Sequence, residues 1–387
     1  METKKQSYIQ ILLVTAFLFS IFGFLTWVNG TLVAFFKKTF ELSHVNAYLV
    51  TFAYYLAYTV MAIPSSVVLK KVGLKNGMII GLLIMALGSL IFIPASVVVS
   101  YPFFLIGLFT TGIGLTLLQT AVNPYVTLMG PHESAAKRIS FMGFSNKIGG
   151  ICGQVILGSI LLHGNTIIAK ETELRKIIVP YLILATLFVV FSIVLKNRNW
   201  YSRIDGEDKD ITKNRIESTD KKSVFQFPNL VLGVIALFCA GATEVIAVDT
   251  IISYGLSLGL PETEAKLYGS YTLGVMILGY LSGMIFIPKY IRQENYLKFS
   301  ALFGFLLTLA ALYSPGNISI FAIVMLGFVN ALLWPTIWPL SLKGLGRFTE
   351  TASALLVMSV CSGAIVPLLY GLLADTMNNT QKAYWIL

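Results

Sequence analysis

The chain has 387 residues, of which 56% are hydrophobic and 12% are charged. Soluble domains have about 25% charged residues, so this composition excludes an ordinary soluble protein and indicates a membrane protein. The net charge of +10 does not indicate a nucleic-acid partner, because the basic residues are spread over the loops between apolar segments.

Apolar segments long enough to cross a bilayer recur along the whole chain. About 20 helical residues span the hydrocarbon core. The predicted spans are Tyr8–Phe36, Asn46–Lys70, Asn76–Val98, Pro102–Met129, Ser140–Leu162, Ile177–Lys196, Asn229–Tyr254, Leu267–Pro288, Leu297–Tyr313, Ile318–Leu342 and Ala352–Thr376. A twelfth is predicted to begin at Tyr384, just before the sequence ends at Leu387, so we expect a truncated twelfth helix.

The longest polar stretch divides these spans into two groups. It runs from Lys196 to Ser223, mixes both signs of charge and lacks apolar periodicity, which predicts a cytoplasmic linker. We therefore predict an N-terminal six-helix half (residues 1–196), a charged linker (197–226) and a C-terminal half (227–387). Two such halves joined by a charged inner loop are typical of a major-facilitator transporter, an all-α membrane fold.

Basic residues are more frequent in the loops on one side of the predicted membrane. Lys4 and Lys5 lie on that side, as does the charged linker, whereas Lys37 and Lys38 lie on the other. Under the positive-inside rule, this distribution predicts a cytoplasmic N-terminus.

Polar residues inside the first and fourth spans are the first candidates for a site. Asn29 belongs to a polar patch of the first span that is a candidate cavity lining. In the fourth span Gln119 and Asn123 share one helix face, beside the helix breaker Pro124. Such amides either join helices or bind sugar hydroxyls, since an amide supplies both a donor and an acceptor.

The fifth span carries a lysine at membrane depth. Lys147 lies roughly 15 Å inside the span, too deep for easy snorkelling to the headgroups. A charge there costs about 2.5–3.5 kcal/mol on insertion scales, which indicates a functional or ion-paired role. Gln154, seven residues later, shares its face, whereas Asn146 points about 100° away.

Two carboxylates lie inside the seventh span. Glu244 and Asp249 are separated by about 140° around the helix, so one is expected to face the central cavity and the other a neighbouring helix. A carboxylate near Lys147 would stay ionised. A static buried ion pair is the alternative interpretation, although such pairs are weak evidence for stability.

The tenth span presents an amide and two indoles on one stripe. Asn330, Trp334 and Trp338 repeat every four residues, and Trp334 lies well inside the span. Indole faces and an amide suit the apolar faces and polar edges of a sugar, with helix packing as the alternative.

The sequence contains no motif of an enzyme or of an ATP-driven transporter. There is no P-loop, so neither an enzyme nor a nucleotide cofactor is predicted. Cys152, Cys239 and Cys361 are far apart, which excludes a disulfide framework or metal-ligand spacing and predicts small core residues.

Several of these stretches together resemble the fucose permease family of sugar symporters, and within it the bacterial glucose/galactose transporter branch. They are QTAVNPY, ESAAKRISFMGFSNKIGG, ATEVIAVDTIISYG and NALLWPTIWPLSLKGLG. The resemblance extends from the first span to the end of the chain. It implies a major-facilitator fold, a hexose-type substrate such as glucose or galactose, coupling to protons or sodium, and a monomer in the bacterial inner membrane.

One departure from the family changes the expected mechanism. The family's aspartate in the first span and glutamate in the fourth match Gly30 and Gln119, both uncharged here, while Asn146 matches an asparagine. We therefore expect cation coupling at Lys147 with Glu244 or Asp249. The predicted sugar-binding residues are Asn29, Gln119, Asn123, Asn146, Asn330, Trp334 and Trp338.

Three alternatives remain open at this point. The substrate is either a hexose or a deoxy or N-acetylated sugar, such as fucose or N-acetylglucosamine. A membrane sensor would bind the sugar without moving it, and an exporter of amphiphiles would use the same fold in the other direction.

Overall fold

The computed structural model describes residues 2–128, 135–162, 169–197, 223–287, 290–345 and 348–387. Within these ranges it describes all side chains except those of residues 2–11, 70, 123–128, 135–138, 349, 350 and 354. The predicted site residue Asn123 thus lies on a described helix, but its side chain is outside the description. The described part of the chain is built from helices and short connections, as the composition predicts.

The helices follow the predicted spans in order, and several spans are divided into two helices. The first to sixth spans are Glu2–Trp27 with Asn29–Thr39, His44–Val98 (second and third), Tyr101–Leu128, Ala135–Leu161, and Lys170–Arg175 with Ile178–Asn197. The seventh to eleventh are Pro228–Asp249 with Ile251–Ser257, Glu262–Phe286, Gln293–Tyr313, Gly316–Asn330 with Leu333–Leu342, and Thr349–Met358 with Ser362–Met377. Short 3₁₀ helices occupy Val224–Gln226, Ser359–Cys361 and Lys382–Ile386.

Backbone breaks separate or bend these helices at definite residues. Gly73, with φ of 80°, interrupts His44–Val98 and so separates the second span from the third. Glycine adopts positive φ without a Cβ penalty. Val28 divides the first span and Thr250 the seventh, but both residues keep right-handed helical φ and ψ. Backbone hydrogen bonds continue across both positions, from Leu32 N–H to the Val28 carbonyl and from Tyr254 N–H to the Thr250 carbonyl.

The surface of the helices confirms a membrane protein. Among the described residues, ten helices are long and apolar enough to cross a bilayer. The predicted fifth span, the helix Ala135–Leu161, is not among these ten because its Asn146 and Lys147 reduce its mean hydropathy. Large apolar side chains project outward from the bundle, as is suitable for contact with lipid tails; examples are Val179, Ile183, Leu232, Leu302 and Phe321, each at least 60% exposed.

Close helix packing joins the first six spans to the last five. The fifth span packs on the first and on the eighth, and the second packs on the eleventh. Gly143 makes one such approach possible, because a Cβ there would lie 2.9 Å from the Tyr280 ring. Gly149 does the same on the first span, where a Cβ would meet the Ser20 carbonyl oxygen at 1.8 Å.

Two details differ from, or add to, the expectations. The cysteines are free, but Cys152 and Cys239 are exposed and Cys361 is partly exposed, so the prediction of small core residues is wrong. The predicted beginning of a twelfth span coincides with the 3₁₀ helix Lys382–Ile386, in which Tyr384 is buried.

Candidate functional site

The first and second spans meet the eleventh at the face where the first span ends, which is the outer face in the predicted orientation and is called the outer face below. Asp375 of the eleventh span accepts hydrogen bonds from the backbone N–H of His44 (3.0 Å) and of Val45 (2.9 Å). The Nδ1 atom of His44 lies 2.7 Å from Asp375 Oδ1, and its Nε2 atom lies 2.5 Å from Lys37 Nζ. Asp375 therefore caps the first turn of the second span from the other half, and the outer face is closed.

An ion pair joins the two halves inside the membrane. Lys147 Nζ of the fifth span lies 2.6 Å from Glu244 Oε1 of the seventh, with side-chain exposures of 4% and 18%. The same ammonium lies 3.8 Å from the centroid of the Trp27 ring, a cation–π distance. The lysine and one of the two carboxylates predicted for coupling are thus in direct contact, and Lys147 does not snorkel to the surface.

Trp27 is the centre of a network that holds the fifth span in place. Its indole N–H donates to Asn146 Oδ1 at 2.9 Å, and Asn146 Nδ2 donates to the Phe19 carbonyl at 3.3 Å. Gln154 Nε2 donates to the Trp27 carbonyl at 2.8 Å, while Gln154 Oε1 accepts from Ser270 Oγ at 3.2 Å. In this conformation both polar atoms of the Asn146 amide make hydrogen bonds to the first span.

The second seventh-span carboxylate has a very different environment. Asp249 is fully buried, and among the described residues neither carboxylate oxygen has a partner in hydrogen-bond geometry, although the Gly30 backbone N–H faces the carboxylate. It lies against the first span: a Cβ on Gly30 would be 2.8 Å from Asp249 Cα. Asn29, the preceding residue, is also fully buried, and its two amide atoms have no partner in the described part of the chain. The structure thus brings Glu244 to Lys147 and Asp249 to the first span; that one carboxylate faces the central cavity stays a prediction.

A group of tyrosines lies between the first, second and fourth spans. Tyr54 OH is 3.1 Å from Thr26 Oγ1, and the Tyr54 and Tyr58 rings have centroids 6.3 Å apart. The amide of Gln119 faces the Tyr58 hydroxyl, so the fourth-span residue that replaces the family's glutamate contacts a phenol. Tyr55 extends this group to the eleventh span, where it contacts Gly363.

The predicted stripe of the tenth span is present as a stack. The Trp334 and Trp338 rings lie 5.3 Å apart at an angle of 25°, and both are partly buried. They pack on apolar residues of the seventh and eleventh spans. Asn330 Oδ1 accepts from Thr243 Oγ1 at 3.2 Å, beside Glu244, and its Nδ2 has no partner.

Sequence reasoning missed some residues of this site. It gave Trp27 only a minor place, although Trp27 contacts Lys147, Asn146 and Gln154. It also left out the tyrosines of the second span, whose spacing in YYLAY places aromatic hydroxyls on adjoining faces. It did not identify the contact between His44 and Asp375, because Asp375 lies in the other half of the chain.

Two helical halves of a membrane protein, joined by an ion pair inside the membrane, have the layout of an alternating-access transporter. The comparisons with known proteins agree. The Major Facilitator Superfamily model matches residues 13–368. The glucose/galactose transporter of Brucella abortus biovar 1 is 32% identical over 366 residues, covering 93% of this chain and 86% of that protein. The L-fucose-proton symporter of Escherichia coli is 26% identical, covering 98% and 90%.

Solved structures show the same architecture. A crystal structure of the transporter FucP in the outward conformation has a TM-score of 0.74 at 25% identity, covering 98% of this chain and 95% of that one. A D-xylose-proton symporter has a TM-score of 0.74 at 17% identity, which supports the fold alone. The chain therefore belongs to the major facilitator superfamily and, within it, to the fucose permease family with its glucose/galactose transporters. It is a multi-pass membrane transporter and not an enzyme.

Proposed function

We propose that this protein takes up a hexose such as glucose or galactose by cation-coupled symport. The observation that supports it most directly is the Lys147–Glu244 pair, which connects the two halves inside the membrane. The relatives named above as glucose/galactose transporter and L-fucose-proton symporter support a sugar as the substrate.

Alternating access requires that the contacts between the two halves at the outer face separate in one state and form in the other. The outer closure consists of Asp375 on the first turn of the second span and Lys38 on Glu262, both of which join the two halves. Opening to the outside separates these pairs, whereas opening to the inside retains them. A sugar and a cation that bind together between the halves would bias this equilibrium by their differential affinity for the two states.

The sugar is expected to lie between the fourth, fifth and tenth spans. Gln119 and the unpartnered Asn330 Nδ2 supply hydrogen-bonding groups, and the Trp334–Trp338 stack offers an apolar face. Asn29, Asn123 and Asn146 complete the proposed set, although Asn146 needs to release the first span before it binds a hydroxyl. Lys147, Glu244 and Asp249 remain the proposed coupling groups.

We further propose that the protein lies in a bacterial inner membrane with a cytoplasmic N-terminus and acts as a monomer. The excess of basic residues in the loops on the N-terminal side supports this orientation. Cysteine labelling from each side of right-side-out vesicles would test it, with labelling at position 4 only after permeabilisation as the expected result.

Uptake by proteoliposomes tests the transport function. Purified protein is reconstituted, and accumulation of labelled glucose, galactose, L-fucose and N-acetylglucosamine is measured with proton and sodium gradients imposed separately. We expect gradient-driven accumulation of glucose or galactose. Preferred accumulation of L-fucose or N-acetylglucosamine would show that this sugar, and not glucose or galactose, is the substrate. Sugar binding without accumulation would indicate a sensor, and outward movement of amphiphiles would indicate an exporter.

A further inference from the structure

The first and seventh spans hold corresponding positions, as the first helix of each half, and they cross closely. Val28 divides the first span and Thr250 the seventh, although both residues keep right-handed helical φ and ψ. A Cβ on Gly30 would lie 3.1 Å from the Asp249 carbonyl oxygen and 3.2 Å from that of Val248. Substrate and coupling-ion sites of such transporters lie near the bilayer midplane at the interface of the two repeats.

Oxygen atoms without partners are concentrated at this crossing. Both oxygens of Asp249 and the Oδ1 atom of Asn29 are fully buried, and no described residue lies in hydrogen-bond geometry to them, with the Gly30 backbone N–H the group that faces Asp249. Ser253 lies one turn beyond Asp249, is 5% exposed, and also has an unpartnered oxygen. Tyr48 of the second span faces Ser253, and its buried hydroxyl does not reach hydrogen-bond geometry. Buried polar groups are nearly always partnered, so such a group of exceptions points to a bound ion or water.

Access to the crossing is available from the outer face. Ser253 lines a cavity of about 240 Å³ together with Ala34, Lys37, His44, Leu256 and Ser257. Lys37 and His44 contact each other over this cavity, and His44 is held by Asp375. The cavity ends at Ser253, about one helical turn from Asp249, and opening of the outer closure would let a cation approach Asp249 from that side.

We infer that the crossing of the first and seventh spans is a sodium site, with Asp249, Asn29 and Ser253 as its side-chain ligands. This inference rests on the proposed cation-coupled transport and names the coupling ion. One carboxylate among neutral oxygens balances a single positive charge and suits a hard cation with oxygen ligands. A proton would occupy one oxygen of Asp249 and leave the amide and hydroxyl oxygens without a partner.

Glu244 is not the ion ligand in this assignment. Its cationic partner is already present, because Lys147 Nζ lies 2.6 Å from its Oε1 atom. The carboxylate available to an ion is thus Asp249, on the side of the seventh span that meets Gly30.

Thermal stability of the purified protein in detergent tests ion binding without transport. Titration of NaCl against choline chloride at constant ionic strength and pH should raise the wild-type Tm by about 2 °C or more at saturation. Asp249→Asn should abolish the shift, and Ser253→Ala should raise the sodium concentration for half the shift roughly fivefold. Gly274→Ala is the matched control, since a Cβ there has no atom within 4 Å. A wild-type Tm that is the same in sodium and choline would overturn the inference.

Uptake then separates this inference from the proposed function. In proteoliposomes at equal pH on both sides, an inward sodium gradient should stimulate wild-type glucose or galactose uptake about tenfold over choline, and Asp249→Asn should lose the stimulation. Accumulation driven by a proton gradient and indifferent to sodium would overturn the sodium site and leave the symporter intact. A sodium-dependent Tm shift without sugar accumulation under either gradient would retain the site and refute the symport.

Discussion

Glu244 and Asp249 lie on the same membrane helix, five residues apart, but only Glu244 has a cationic partner. Glu244 contacts Lys147 across the two halves and keeps 18% of its side chain exposed, whereas Asp249 is fully buried without a hydrogen bond. The paired carboxylate stabilises contact between the halves. The unpaired carboxylate leaves a place for an ion, because burial of an isolated charge is unfavourable unless something neutralises it.

The largest effect is expected when the paired carboxylate loses its partner. Lys147→Met should leave Glu244 as an uncompensated charge, which reduces stability by about 3 kcal/mol and uptake by about 100-fold or more. Thermal unfolding and proteoliposome uptake measure the two effects. The double variant Lys147→Met/Glu244→Gln should recover most of the stability but not the uptake.

Asp249→Asn is the counterpart at the other carboxylate. It should keep the Tm of the wild type in choline, since the amide retains an oxygen that can accept from the Gly30 backbone N–H facing the carboxylate. If Asp249→Asn destabilised the protein in choline as much as Lys147→Met does, the contrast between the two sites would be wrong.

A somewhat smaller effect is expected where the backbone of the first span meets Asp249. Gly30→Ala places a methyl group 2.8 Å from Asp249 Cα, so the outer face should close incompletely. We expect uptake to fall by about tenfold or more, with greater labelling of an outer-face cysteine introduced at Ser257. Gly274→Ala should leave both unchanged, and normal uptake by Gly30→Ala would show that the crossing relaxes easily.

Substitutions in the outer closure should have more moderate effects on the balance between the two states. Asp375→Asn removes a charged acceptor from two backbone N–H groups at a helix start, an interaction of about 1 kcal/mol, so the outward-open population should rise roughly fivefold. Spin-label distances across the outer face would report it. Lys38→Ala is the control, because that lysine is 48% exposed and surface pairs contribute little. Equal effects of the two variants would contradict the assignment of Asp375 as the main closure contact.

The smallest effect concerns the support of Lys147 by the first span. Trp27→Phe keeps an aromatic ring for the lysine but removes the N–H that donates to Asn146, so we expect a change of about 1 kcal/mol, or fivefold in KM. Trp27→Ala should have a larger effect because it also removes the cation–π contact. KM values from initial rates measure both effects, and equal KM values for Trp27→Phe and Trp27→Ala would exclude a role for the aromatic ring in supporting Lys147.

The spans and the fold were predictable because hydropathy and length are local properties. Each predicted span has its helix, and the family motifs extend along the same order of elements. The depth of Lys147 was predictable from its distance to the basic loop. The environment of the cysteines was not, because hydropathy does not distinguish a helix face that meets lipid from one that meets protein.

The site was predictable in part for a related reason. Charged and amide residues inside apolar spans are visible in the sequence, but their partners lie on other spans. The stripe of Trp334 and Trp338 depends only on helical periodicity and is present as a stack. The engagement of Asn146 with Trp27 joins residues more than 100 positions apart, which no local pattern encodes.

The sequence by itself determined that this chain is a membrane protein with eleven spans before Leu387, two carboxylates inside one span and a lysine inside another, since these follow from composition and helical geometry. Only the tertiary structure decided that Glu244, and not Asp249, meets Lys147, and that Asp249 faces Gly30 and Asn29. The physical reason is that the crossing of the two halves, through close glycine contacts, sets which face of the seventh span meets which neighbour.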